Sequence, residues 1–111
     1  NKTLDILKGS SETVSGDGSG TDACSVATLI SLLDCSSGTS ALTLAAGAAG
    51  QIKILSMTDA TNAAEITTAN GNPLAAQVST KILFNAVGET ATLMYNGSNW
   101  IVTSVQGATI S

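Results

Sequence analysis

The sequence contains no histidine and no arginine among its 111 residues, and its only cations are four lysines. Histidine is the most common general base and zinc ligand, so its absence removes the simplest routes to acid–base catalysis and to a zinc site. The net charge of −4 is the wrong sign for nucleic acid or for an anionic membrane surface. We therefore expect a protein that is not an enzyme, that holds no metal or cofactor, and that binds neither nucleic acid nor membrane.

Large side chains are also scarce, since only Phe84, Tyr95 and Trp100 are aromatic while 16 residues are alanine. A single domain of this length with so few large apolar side chains has a lean core. Association with copies of the same chain is one way to bury more apolar surface. The sequence has no apolar run near the ~20 residues that a membrane-spanning helix needs.

Cys24 and Cys35 are the only cysteines. A single pair is not a disulfide framework and does not indicate an oxidising compartment. Two interpretations remain open: a pair of small buried apolar side chains, which we favour, or one disulfide bridge.

Serine, threonine and glycine make up 40 of the 111 residues, and charged helix formers are few. Short β-branched runs separated by Gly, Asn or Asp predict an all-β fold: a compact antiparallel sandwich, barrel or prism-like module of about eight short strands. We assign residues 1–22 to an N-terminal arm and residues 23–111 to the β domain. The main predicted strands are 25–34, 40–44, 51–58, 63–68, 80–84, 90–95, 100–104 and 108–110.

Two turn signals are strong. The sequence Asn-Gly-Asn-Pro at 70–73 predicts a loop, because Gly allows positive φ and Pro cannot donate to a strand ladder. Asn96-Gly97 predicts a tight hairpin with a type I′ turn. No internal repeat of fixed period is visible.

The stretch from 10 to 22 is rich in Ser, Gly and Asp and predicts a loop or arm. Its 16–20 segment, Gly-Asp-Gly-Ser-Gly, lacks the lysine of a phosphate loop. Oxygen ligands for Ca²⁺ are present there, but the glutamate that completes an EF-hand loop is missing. We favour a solvated loop over a calcium site built from Asp17, Ser19, Thr21 and Asp22.

Tyr95 and Trp100 flank the predicted hairpin. They are candidates for a platform on which a glycan ring would stack. The alternative, which we favour, is a cross-strand aromatic packing pair.

Between Ser31 and Val102 a series of short segments follow one another in the order Leu33-Asp34, Ser37-Gly38, Ala41-Leu42-Thr43-Leu44, Gly50-Gln51-Ile52-Lys53-Ile54, Ile66-Thr67, Ile82-Leu83-Phe84-Asn85, Val87-Gly88-Glu89, Ala91-Thr92-Leu93 and Tyr95-Asn96-Gly97-Ser98-Asn99-Trp100-Ile101-Val102. In the order and spacing of these segments the chain resembles a β-rich module of virion proteins from tailed bacteriophages, notably marine and cyanobacterial ones. Two details depart from that pattern: Glu89 stands where aspartate is usual, and residues 59–62 replace a Gly-Gly turn.

The resemblance implies a homotrimeric module, used either as a capsid decoration (cement) protein or as part of a tail fibre or spike. We expect a decoration protein that is assembled in the host bacterial cytoplasm, lies on the capsid exterior and binds the major capsid protein. Leu4, Ile6 and Leu7 are the candidate capsid-contacting residues, although the arm that carries them has two alternatives, a disordered tail or a strand of the β domain. The alternative function is a fibre or spike module that recognises a host glycan; a small hydrolase or lyase is disfavoured.

Overall fold

The computed structural model describes residues 10–15, 22–38, 40–74 and 77–110. Within these ranges the chain forms ten strands and no helix, so the predicted all-β class is confirmed. The strands are β1 (Ser11–Ser15), β2 (Asp22–Cys24), β3 (Ile30–Asp34), β4 (Ser40–Leu44), β5 (Ile52–Asp59), β6 (Ala64–Leu74), β7 (Gln77–Phe84), β8 (Thr90–Tyr95), β9 (Trp100–Gln106) and β10 (Thr109–Ile110).

The strands form two five-stranded sheets, sheet A in the order β1-β3-β5-β8-β9 and sheet B in the order β10-β7-β6-β4-β2. From β1 to β6 the chain alternates between the sheets. As a result β1, β3 and β5 are parallel neighbours in sheet A, and β2, β4 and β6 are parallel neighbours in sheet B. The remaining pairs are antiparallel. The expectation of an antiparallel fold is therefore wrong for the first half of the chain. There the strands wind from one sheet to the other and back, as successive turns of a solenoid-like coil.

The register of this coil explains why no repeat was visible in the sequence. In sheet A, Ser11 lies beside Ile30 and Ile30 lies beside Ile54, which are offsets of 19 and 24 residues. The corresponding offsets in sheet B are 20 and 24 residues. Successive turns of the coil differ in length, so the pattern of apolar residues has no constant period.

The core lies between the two sheets and is built mainly by the alternation of inward and outward side chains along the strands. In β8, for example, Ala91, Leu93 and Tyr95 are buried while the residues between them are half-buried. Burying a leucine, isoleucine or phenylalanine side chain fully stabilises the fold by roughly 2 kcal/mol. The buried apolar residues form one cluster drawn from both sheets: Val14, Cys24, Leu33, Cys35, Leu42, Leu44, Leu55, Met57, Ala64, Ile66, Ile82, Phe84, Ala91, Leu93, Tyr95, Trp100 and Val102.

The predicted arm requires a correction. Ser11–Ser15 is a strand in parallel register with β3 and contributes the buried side chain of Val14 to the core, so this part of the 1–22 segment belongs to the β domain. The alternation of polar and apolar residues there is too short to identify a strand; the pairing with β3 defines it. The predicted strand 25–34 is also shorter than expected, since β3 begins at Ile30 and residues 25–29 form a turn.

The loop predicted at 70–73 is part of strand β6. Strand β4 pairs with β6 only as far as Thr68, so beyond that residue β6 continues as a two-stranded ribbon with β7. One side of the ribbon has no strand beside it in the described part of the chain, and Pro73 is tolerated in such an edge position. The register shifts between Thr67 and Asn72, as in a bulge that absorbs the Asn-Gly pair.

The hairpin predicted at Asn96-Gly97 joins β8 and β9 and is confirmed, but its loop is longer than a type I′ turn. Tyr95 pairs with Trp100, which leaves four residues in the loop. Gly97 has a φ of 100°. The Asn96 side-chain oxygen accepts hydrogen bonds from the main-chain N–H groups of Ser98 and Asn99 at 2.9 and 2.8 Å, which closes the loop.

Candidate functional site

A polar cluster lies where strands β1, β3 and β5 meet the turn at residues 25–29. Lys53 is in the central strand of sheet A, and its side chain is 0% exposed. Its Nζ donates hydrogen bonds to the main-chain oxygens of Ser25 at 2.6 Å and Thr28 at 3.0 Å, and to the Thr28 hydroxyl at 2.9 Å. Nζ also lies 3.6 Å from Oε2 of Glu12. We call Glu12, Ser25, Thr28, Ser31 and Lys53 the Glu12–Lys53 cluster.

Glu12 reaches this cluster from β1, where it lies on the same inner side as Val14. Its Oε2 accepts hydrogen bonds from the main-chain N–H of Ser25 at 2.7 Å, the Ser31 hydroxyl at 2.5 Å and the Thr28 hydroxyl at 3.2 Å. One carboxylate oxygen of β1 therefore contacts the 25–29 turn, strand β3 and the lysine of β5.

Burial and neighbouring groups act in opposite directions on the charges of the cluster. Burial alone would raise the pKa of Glu12, but the hydrogen bonds from Ser31 and Ser25, the charge of Lys53 and the Thr28 hydroxyl lower it below the ordinary glutamate value. Burial lowers the pKa of Lys53, and the Glu12 charge opposes that shift. The carboxylate is thus held in its charged form.

The resemblance motif Gly50-Gln51-Ile52-Lys53 has a structural role in this arrangement. The Gln51 side-chain nitrogen donates to the main-chain oxygen of Val26, while its side-chain oxygen accepts the main-chain N–H of Ala48 at 3.0 Å. Through hydrogen bonds to its main-chain oxygens, Gln51 and Lys53 together fix the position of the 25–29 turn.

The chemistry available to the cluster is limited by access. A serine hydroxyl that donates to a carboxylate is an arrangement used to activate a nucleophile. Ser31, however, is 0% exposed, so a substrate cannot reach its hydroxyl. The cluster is suited to fixing strands and a turn.

Tyr95 and Trp100 are both core residues, with exposed fractions of 4% and 0%. Their ring centroids are 5.1 Å apart at an interplanar angle of 69°, an edge-to-face contact between paired strands. A glycan platform needs an exposed ring face, which neither residue offers. The structure corresponds to the packing-pair alternative.

Cys24 and Cys35 are both buried and are not joined by a disulfide. Burial raises the pKa of the Cys24 thiol to about 11, and the nearby Lys53 charge opposes this only in part. The burial of both cysteines, without a bridge between them, agrees with their interpretation as small buried apolar side chains.

Several candidate residues lie outside the described ranges: the capsid-contacting candidates Leu4, Ile6 and Leu7, and three of the candidate calcium ligands, Asp17, Ser19 and Thr21. Asp22, the fourth, begins strand β2. Among the residues that the structure describes, no group of three or more Cys, Asp or Glu is placed to hold a metal ion.

The outer surface of sheet A carries a second feature, a contiguous set of apolar side chains that alternate with buried residues. Ile30 lies beside Ile54 across β3 and β5, and Ile52, Met94 and Ile101 lie side by side across β5, β8 and β9. Ile52 is 41% exposed and the others are half-buried. We define the outer apolar face as Ile30, Leu32, Ile52, Ile54, Met94 and Ile101.

Among the described residues, the strand positions in register with the outer apolar face carry no charge. Several of them are serine or threonine, such as Thr92 beside Ile54 and Ser56 beside Leu32. Charged residues lie farther along β3 and β5, where Asp34 pairs with Asp59. The outer surface of sheet B differs, since it carries an ion pair between Lys81 and Glu65 at 3.2 Å.

Sequence reasoning identified neither the Glu12–Lys53 cluster nor the outer apolar face. A signal for the face was present, because β5 has apolar residues in both alternating sets: Ile52 and Ile54 on one side, Leu55 and Met57 on the other. A strand that is apolar on both sides is typical of one covered on both sides. The hydrogen-bond acceptors of Lys53 lie 25 to 28 residues away and Glu12 lies farther still, so no local pattern indicates these partners.

No helix in the described part of the chain is long and apolar enough to cross a membrane. A scan against protein-family models found no match, and a search of curated proteins found no relative of this chain.

Proposed function

We propose that this chain is a structural virion protein of a tailed bacteriophage, a capsid decoration protein that binds the outer surface of the head as a homotrimer. The observation that carries the proposal is the outer apolar face of sheet A. A contiguous set of apolar side chains on the central strands of a sheet is typical of a surface that is covered by a partner.

A second copy of the chain fits this face by charge. The chain has a net charge of −4, so two copies repel each other wherever their acidic residues meet. The strand positions in register with Ile30, Ile52 and Ile54 carry no charge. Copies can therefore approach through this face without bringing like charges together.

The assignment to a virion, and the number three, come from the resemblance to the phage β module. The residues that carry the resemblance make structural contacts here. Gly88 has a φ of 90°, and Oε1 of Glu89 accepts the main-chain N–H groups of Asn85 and Ala86 at 2.6 and 2.9 Å. Glutamate in place of the usual aspartate thus still closes the turn, which supports the assignment.

The N-terminal segment is the proposed contact with the capsid. The main-chain N–H of Ile30 donates to the oxygen of Ser10, immediately before the outermost strand of sheet A. Residues 1–9 therefore precede the edge strand of sheet A. A segment that begins at an edge strand is well placed to bind a neighbouring protein. Leu4, Ile6 and Leu7 are its proposed apolar anchors.

Self-association is tested by replacing Ile30 and Ile54 together with threonine, which keeps the β-branched shape. Sedimentation velocity should detect a trimer for the unmodified chain and a monomer for the double variant. The matched control is Leu83→Thr on the outer side of sheet B, which should remain trimeric. A monomeric unmodified chain at micromolar concentration contradicts the proposal.

Capsid binding is tested by mixing the protein with undecorated heads of the phage that encodes it and imaging them by cryo-electron microscopy. The chain should appear at three-fold positions on the head exterior. A truncation that begins at Ser10 should keep the fold, because it retains β1 and Glu12. It should lose capsid binding, because it removes the proposed anchors Leu4, Ile6 and Leu7. Bare heads in this experiment, together with density for the chain on the tail fibres of complete particles of the same phage, would favour the alternative function.

A further inference from the structure

We infer that Glu12 is an acid-sensitive latch that holds the edge strand β1 on sheet A, so that neutralisation of Glu12 releases β1 while sheet B and the other four strands of sheet A remain folded.

Strand β1 has few other attachments. It lies at the rim of sheet A with β3 as its neighbour, and the two strands pair over the five residues of Ser11–Ser15. Val14 is its single buried apolar side chain. Strand β8, by contrast, lies between two strands and buries Ala91, Leu93 and Tyr95. Apolar burial therefore holds β1 far less than it holds the interior strands.

The Glu12 carboxylate supplies much of the remaining attachment. Its Oε2 accepts three hydrogen bonds, from Ser25, Thr28 and Ser31, and lies beside the Lys53 charge. Hydrogen bonds to a charged acceptor are about twice as strong as those between neutral groups. Adding one proton to Glu12 removes the negative charge, so all of these contacts weaken together.

The groups that face Glu12 do not themselves take up a proton when the pH falls below neutrality. Lys53 of β5 is a cation, Cys24 of β2 is a thiol whose pKa is about 11, and Ser31 of β3 together with Ser25 and Thr28 of the turn are neutral. Among the described residues of the cluster, only Glu12 gains a proton as the pH falls below neutrality.

The direction of the pH effect follows from linkage. The pKa of Glu12 is lower in the folded protein than the ordinary value of 4.5. Its contribution to the attachment of β1 is therefore fully present above that value, and is lost as the pH falls through the lowered one. The release of β1 is expected below pH 4.5.

Amide hydrogen exchange followed by NMR tests the latch, with β1 and β8 compared in the same sample. In the unmodified protein below pH 4.5, the protection factors of β1 should fall by up to about tenfold per pH unit, the limit for uptake of one proton, while those of β8 stay constant. Glu12→Gln should lower the protection of β1 about tenfold at pH 7 and remove its dependence on pH.

Two controls separate the latch from general weakening. Val14→Ala should lower the protection of β1 at every pH without changing its slope. Asp59→Asn, which removes another carboxylate whose pKa is lowered, should leave β1 unchanged because Asp59 bonds to Thr61 and not to β1. Loss of protection in β1 and β8 together on acidification overturns the inference, as does an unchanged pH dependence in Glu12→Gln.

Discussion

The indole Nε1–H of Trp100 donates a hydrogen bond of 2.8 Å to the main-chain oxygen of Ala45, although 55 positions separate the two residues. Ala45 follows β4 of sheet B, and Trp100 begins β9 of sheet A. This bond and the buried indole ring join the two sheets at one end of the core.

Trp100→Phe is expected to lower the free energy of unfolding by about 3 kcal/mol. The change removes the hydrogen bond to Ala45 and leaves a cavity, because phenylalanine has one ring where the indole of Trp100 has two fused rings. Urea unfolding followed by circular dichroism measures the loss. Tyr95→Phe removes only the hydroxyl that donates to the Ser98 oxygen at 3.2 Å, and should cost less than about 1 kcal/mol. Equal costs for the two variants would contradict this account.

Gly47→Ala is expected to be more destabilising than Gly50→Ala, for different physical reasons. A Cβ at Gly47 would meet Oε1 of Gln51 at 2.6 Å and Cζ2 of Trp100 at 2.9 Å, and the buried indole has little room to move. We expect a loss of about 2 kcal/mol there. Gly50 has open space around it but a φ of 86°, so alanine costs about 1 kcal/mol through backbone strain. Thermal unfolding of both variants gives the comparison; the reverse order would refute it.

Lys53→Met is expected to cost about 3 kcal/mol, because it leaves the Glu12 carboxylate without its counter-charge. It also leaves the main-chain oxygens of Ser25 and Thr28 without the Lys53 donor. Glu12→Gln should lower the free energy of unfolding less in the Lys53→Met variant than in the unmodified protein, because the two charges are coupled. Denaturant unfolding of all four proteins completes a double-mutant cycle, and strict additivity would show that the pair does not interact.

Both cysteines are expected to be unreactive in the native protein. Cys24 and Cys35 are buried, and the raised pKa of Cys24 leaves little thiolate at pH 8. A chromogenic disulfide reagent should release two equivalents of dye in denaturant and almost none without it. Rapid reaction of either thiol in the folded protein would contradict the burial.

Local alternation was enough to place several strands. The strands predicted at 40–44 and 90–95 have those bounds in the structure, and Leu42 and Leu44 face inward as the pattern indicates. The Asn96-Gly97 signal located the hairpin correctly. These features depend on side chains within a few residues of one another, which is the range that a sequence pattern reports.

Non-local pairing accounts for the failures. Ser11–Ser15 looks like a polar loop in isolation and becomes a strand because β3 offers a parallel partner. Pro73 is accepted in β6 because β4 has already ended. The Glu12–Lys53 cluster joins residues that are far apart in the sequence, so no local pattern indicates it.

The sequence by itself determined the all-β class, the lean apolar composition and the positions of strands whose alternation is clean. Only the tertiary structure decided that the first six strands wind as parallel neighbours in two sheets, that Lys53 is buried, and that apolar residues also line the outer side of sheet A. The physical reason is that parallel strands are paired across long connections. Their choice of neighbour depends on the free energy of the whole packed arrangement, which no short segment of the chain encodes.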